Sequence, residues 1–261
     1  MDGQQFRMLP TTCIIDEFVC NRKDSYEDYL IEFVNASSYF RKKSKGEPYI
    51  RPQSESNGEC DCISPFYSLD FKMLVSKSMA QGMNCFTNGT TELAPGIRSI
   101  GNAKILPSDK KYKPIKGYLL QYLFRYISSG ELNRLQKGER PILNRDGKEL
   151  SKEECSVLRD ALCPLQKEKN LLFMLPYEVI YSEPGEDDLL INACSQVTCD
   201  YESLFHYRRD IRPEYDTYIS CVFRNDWVVF TMNSSGKCIV LDRIPLSSSP
   251  KYNELSELSE W

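Results

Sequence analysis

The sequence has no long hydrophobic run. Its longest apolar stretches, such as Leu171 to Leu175, fall far short of the roughly 20 residues that cross a bilayer. Asp2, Gln4, Gln5 and Arg7 precede the first apolar run, unlike a secretory leader. There is no internal repeat, and no glycine-rich phosphate loop of either common type, which excludes a nucleotide-driven motor and a Rossmann dehydrogenase. Histidine is nearly absent: His206 is alone, so a Cys–His hydrolase would depend on it, and no nucleophile signature accompanies any cysteine. Charge of one sign is also scarce. A net charge of −4 is not that of a sequence-independent nucleic-acid binder, so such contacts fall to local patches, Arg41 to Lys45 and Lys104 to Lys116.

What is present is an ordinary globular composition of 261 residues, 41% hydrophobic and 27% charged. Eleven cysteines, an odd number at irregular spacing, read as reduced and mostly buried thiols of a cytoplasmic protein rather than a disulfide framework. The glycosylation triplets at Asn35, Asn88 and Asn233 then carry no meaning. Cys60, Cys62, Cys194 and Cys199 are a zinc alternative, weakened because Cys60 and Cys62 flank Asp61 on a strand instead of forming a knuckle. Most tyrosines and phenylalanines, such as Tyr118, Tyr122 and Phe124, fall at helical spacing and read as core.

Along the chain, residues 11 to 19 read as a short strand or a helix start. Asp24 or Ser25 caps an amphipathic helix over about 25–40, with Tyr29, Leu30, Phe33, Val34 and Phe40 on its apolar side. A polar loop from Lys42 to Gly58, with a short strand at Tyr49-Ile50, leads to two strands, Glu59–Ser64 and Phe66–Ser76, joined at Ser64-Pro65. Residues 77–101 read as loop. An apolar helix over 117–128 follows, then a helix opened by the capping box Ser151/Glu154 and running to Cys163. Strands at Leu171–Tyr181 and Tyr218–Phe223, a helix around His206, a hairpin of 227–232 with 238–241, and a loose tail over 247–261 complete the chain. The expected class is mixed α/β: a core in 1–115, and a helical and β region in 116–261 that either continues that domain or follows it.

The segment from Gly58 to Leu74 carries the chemistry. Strand alternation puts Asp70 and Lys72 on one face and Leu69, Phe71 and Met73 on the other. Asp61, on the preceding strand, meets Asp70 across the hairpin. Two converging carboxylates repel unless a cation sits between them. Mg²⁺ (or Mn²⁺) suits such hard oxygen ligands and keeps coordination positions for a phosphate. A lysine beside it orients water or neutralises charge developing on the phosphate.

This segment resembles the active-site hairpin of the PD-(D/E)XK nuclease superfamily, which includes many restriction enzymes, repair nucleases and recombination exonucleases. Asp61 matches the acid of the first strand and Asp70-Phe71-Lys72 the acid-x-Lys of the second. No proline precedes Asp61, Asp70 replaces the commoner Glu, and Gln81 is a loose match to a residue of the following helix. The resemblance covers about 50 residues. It implies a restriction-endonuclease-like core with a central mixed sheet flanked by helices. It also implies metal held by Asp61, Asp70 and a helical acid, best matched by Glu27, with Lys72 assisting the attacking water. DNA would be the substrate more readily than RNA, in a restriction, phage-defence or repair setting. The alternative is an interaction protein that shares only the hairpin, its charges forming a cross-strand salt bridge.

Overall fold

A computed structural model describes residues 7–10, 26–53, 58–74, 120–180, 188–223 and 226–248. The expectations for 11–19, 77–101 and Lys104 to Lys116 lie outside them, as does Gln81. The chain divides into two compact units. The first draws on 1–73, 168–196 and 215–261, and the second on 74–167 and 197–214.

The first unit is built on a seven-stranded mixed sheet, which bears out the mixed α/β class. Its strands are β1 (Arg7–Pro10), β2 (Cys62–Ile63), β3 (Ser68–Met73), β4 (Leu171–Ile180), β5 (Thr217–Phe223), β6 (Asp226–Met232) and β7 (Cys238–Pro245). They run in the order β2-β3-β4-β5-β6-β7, with β1 pairing the far half of β4. β3, β4 and β5 are parallel, while β2, β6 and β7 join through antiparallel pairs. The composition explains the parallel centre. Leu-Leu-Phe-Met-Leu in β4 is a continuous apolar run buried on both faces, and every residue of β5 is buried. In the β6–β7 hairpin, Asn233 Oδ1 accepts from the amides of Ser235 and Lys237, and Gly236 supplies the positive φ of 79°.

Helices α1 (Tyr26–Ala36) and α2 (Ser38–Lys43) cover one face of the sheet. Leu30, Phe33 and Phe40 pack there against Phe71, Leu172, Tyr218 and Trp227, with the Phe33 and Trp227 rings stacked at 5.5 Å. The single helix expected over 25–40 is therefore two. Ser37 breaks it in extended conformation, caps α2 by accepting from the Phe40 amide, and donates to Asp242 Oδ2 at 2.8 Å. A partner this distant in sequence is invisible to helical periodicity.

On the opposite face, Cys194 of α6 (Asp188–Asp200) meets Cys221 of β5. The eight described cysteines are all free, with Cys62, Cys155, Cys194 and Cys221 buried. No helix among the described residues is long and apolar enough to cross a membrane.

The second unit holds α3 (Leu120–Tyr126), α4 (Ser129–Gln136), α5 (Lys152–Leu162) and α7 (Glu202–Ile211), together with the end of α6. The Ser151/Glu154 capping box opens α5 as expected. Phe124 lies against Tyr201, and Ser203 donates to the Phe124 carbonyl. Arg208, almost fully buried, donates to the carbonyls of Leu165 and Lys167, which supply acceptors that water cannot. His206 faces Glu202 one turn back, at 3.5 Å.

Candidate active site

The hairpin forms as expected but is shorter. Cys62 pairs with Leu69 and Ile63 with Ser68, and Ile50 adds a single bridge to Ile63. Ser64 and Tyr67 close the turn through mutual hydrogen bonds. One step up from Cys62 and Leu69, the register sets Asp61 opposite Asp70. There the strand gives way to a side chain: Asp61 Oδ2 accepts from the Phe71 amide at 2.7 Å. The carboxylate takes the place of a main-chain acceptor, so β2 begins only at Cys62.

Strand alternation holds along β3: Leu69 and Phe71 are fully buried against α1 and α2, and Asp70 and Lys72 leave from the other face. Asp70 is itself only 2% exposed. It does not sit on an open hairpin, because β4 pairs with β3 from Asp70 to Met73, with Asp70 in register with Leu171.

Lys72 ties the two acids. Its Nζ lies 3.2 Å from Asp61 Oδ2 and 3.0 Å from Asp70 Oδ2, and donates to the Phe71 carbonyl at 2.7 Å. The contact with Asp70 Oδ2 is one of charge rather than an aligned hydrogen bond. A second ammonium reaches the other oxygen: Lys169, just before β4, lies 3.3 Å from Asp70 Oδ1 and donates to the Glu59 carbonyl. Burial disfavours charge on Asp70, but Lys72 and then Lys169 outweigh it and hold its carboxyl below the usual range. Burial likewise opposes charge on Lys72, and Asp61 and Asp70 together raise its pKa above the ordinary value. Both groups are charged at neutral pH. Neighbouring Asn170 fixes the strand ends. Its carbonyl accepts from the Asp70 amide, its side chain donates to the Ser68 carbonyl, and its Oδ1 accepts from the Asp216 amide.

Glu27 is engaged by Arg51, which also lies 3.6 Å from Asp28. Among the described residues no group of three or more His, Cys, Asp or Glu side chains could hold a metal ion. This counts against the zinc alternative as well. The Cys194 contact with Cys221, and burial around Cys62 and Cys199, push these thiols up, away from the thiolate that zinc requires.

In the basic stretch Arg41 to Lys45, Arg41, Lys42 and Lys45 are exposed, while Lys43 is paired with Asp216 at 2.8 Å. Asp216 also accepts from the Tyr67 hydroxyl, which shares a hydrogen bond with Tyr218. Sequence reasoning missed this cluster and Lys169, because both need the parallel pairing of β4 and β5 to form. The one local signal for Lys169 is its place directly before a buried apolar strand.

No family model, curated protein or solved structure matches this chain.

Proposed function

We propose that this chain is a metal-dependent nuclease that hydrolyses phosphodiester bonds, in DNA rather than RNA, on a restriction-endonuclease-like core. The carrying observation is that Asp61, just before β2, and Asp70 on β3 converge on a single ammonium. The order of elements supports it: a helix pair, an antiparallel hairpin with an acid and then acid-x-Lys, helices, and a strand parallel to the second of the hairpin. The preference for DNA, and a restriction, phage-defence or repair setting, rest on analogy with the PD-(D/E)XK superfamily.

The donor set fits a hard divalent cation. Mg²⁺ is commonly held by one or two carboxylates, with water and phosphate oxygens completing its shell. Asp61 and Asp70 already share one cation, the Lys72 ammonium, and would hold Mg²⁺ or Mn²⁺ once that ammonium turns aside. When bound, the metal supplies Lewis-acid polarisation of the phosphate and activation of water. Lys72 then orients that water or neutralises charge on the phosphate. Lys169 keeps Asp70 ionised. Asp61 and Asp70 carry the site by themselves, since Glu27 is held by Arg51 and forms no three-acid group with them.

One observation favours a second reading, a non-catalytic interaction protein. Both oxygens of Asp70 carry a lysine, so the cluster can stand as a closed salt-bridge network. A cleavage assay on single- and double-stranded DNA and RNA, with Mg²⁺, Mn²⁺ or EDTA, separates the two. Metal-dependent cutting that Asp70→Asn abolishes supports the nuclease. No cutting of any substrate leaves the interaction protein.

A further inference from the structure

The hairpin that carries the acids ends in an exposed aromatic ring. Phe66 lies at the tip of the Ser64-to-Tyr67 turn and is 52% exposed; Ile50, on the strand segment bridged to Ile63, is 54% exposed. Neither serves the core. The chain leaving α2 comes to this turn. Lys45 adopts φ 56°, a left-handed backbone uncommon for a residue other than glycine, and Gly46 follows at φ 90°. That bend places Lys45 Nζ 4.2 Å over the Phe66 ring, next to Lys43 over the Tyr67 ring at 5.2 Å. The bend is the left-handed close of α2, in which the Gly46 amide donates to the Arg41 carbonyl and the Lys45 amide to the Lys42 carbonyl, and it fixes Lys45 beside the turn. Arg41, Lys42 and Lys45 are exposed along this stretch against one exposed acid, Glu47, in a protein whose net charge is −4.

We infer that the β2–β3 turn and the end of α2 form a binding surface for single-stranded nucleic acid, with Phe66 as the base-stacking platform and Arg41, Lys42 and Lys45 as phosphate contacts. An exposed ring beside several cations matches unpaired bases on a charged backbone, whereas in a duplex the base faces are already stacked. The surface lies outside the Asp61/Asp70 cluster and does not depend on cleavage. Where cleavage holds, it names single strands or frayed ends as the substrate.

The test is fluorescence anisotropy in EDTA with a labelled 12-nucleotide DNA, the same sequence as RNA, and the 12-base-pair duplex. Wild type is expected to bind a single strand at least about tenfold more tightly than the duplex, and Phe66→Ala to lose about tenfold on the single strand while Phe66→Trp keeps it. Arg41→Ala/Lys42→Ala should weaken every probe and lower the salt slope by about one to two. The relative affinity for DNA and RNA identifies which strand is preferred. Equal binding of duplex, unchanged binding by Phe66→Ala, or no binding of any probe overturns the inference. Asp70→Asn should bind as wild type does, so a chain that binds strands but never cuts loses only the nuclease reading. One that cuts duplex and ignores Phe66→Ala loses only this one.

Discussion

Asp70 and Asp216 belong to the same sheet, and each sits beside lysine, yet they are satisfied in different ways. Asp216, with a side chain 43% exposed, is met by Lys43 and by the Tyr67 hydroxyl, which is in turn bonded to Tyr218. Lys43 and the two phenols hold it below the usual carboxylate range despite burial, and no second carboxylate crowds it in this network. Asp70 is almost fully buried, faces another carboxylate in register, and is balanced only by ammonium ions. Neutral hydroxyls complete the surroundings of Asp216 beside its one lysine. At Asp70 two acids instead meet on one lysine, and a second lysine takes the remaining oxygen. The difference is between one acid shared by a lysine and neutral hydroxyls and a pair of acids balanced by lysines alone.

The largest contrast lies in activity. Asp70→Asn should remove metal-dependent cleavage below detection, and Lys72→Ala should reduce it on the order of 10²–10³-fold. Asp216→Asn should leave it within about twofold, because that side chain bonds Lys43 and Tyr67 rather than Asp61, Asp70 or Lys72. Cleavage rates of the purified variants check this, and equal losses at Asp70 and Asp216 would erase the distinction. Stability follows. Phe71→Ala, on the apolar face of the same strand, should cost about 3–5 kcal/mol in urea unfolding. Asp70→Asn should cost about 2–3 kcal/mol, since two partly buried ammonium ions lose their acceptor. The half-exposed Lys43–Asp216 pair, disrupted by Asp216→Asn, should cost under about 1 kcal/mol.

The smallest effect is one of pH. The Asp70 carboxyl is depressed, so its contribution is complete above the ordinary value of about 3.9 and fades as pH falls through its own lower value. Lys72 is raised, so its share is complete below about 10.4 and fades as pH climbs through its own higher value. The stability gap between wild type and Asp70→Asn should therefore stay flat from about pH 5 to 9 and narrow in stronger acid. Urea titrations across that range test it; a gap that changes near neutrality would show that the charges are not fixed.

Local signals in the sequence were enough for local structure. Ser151 and Glu154 marked α5 because a capping box is complete within four residues. Alternation placed Asp70 and Lys72 together because strand geometry has a period of two. Signals that depend on distant partners were silent. Ser37 reads as a residue inside a helix until Asp242 is beside it. Asp70 reads as exposed until β4 covers its edge. α4 and α6 escaped notice: α4 carries Gly130 and buries only Leu132 and Leu135, and α6 mixes Val197 and Thr198 into a weak apolar stripe. The Arg51 pairing with Glu27 was hidden too, because it joins a loop to a helix 24 positions earlier.

Contacts in the sheet unit join residues far apart in the chain. Lys169 reaches Asp70 across 99 positions, and Ser37 reaches Asp242 across 205. During synthesis Asp61, Asp70 and Lys72 therefore emerge long before the strands that bury them. Pairings this remote in sequence form slowly. A ribosome-bound chain has the hairpin but neither Lys169 nor the parallel edge that orders Asp70. The acid pair therefore takes its buried form only once Lys169 and β4 have been made, and a chain interrupted before them keeps the edge of Asp70 uncovered.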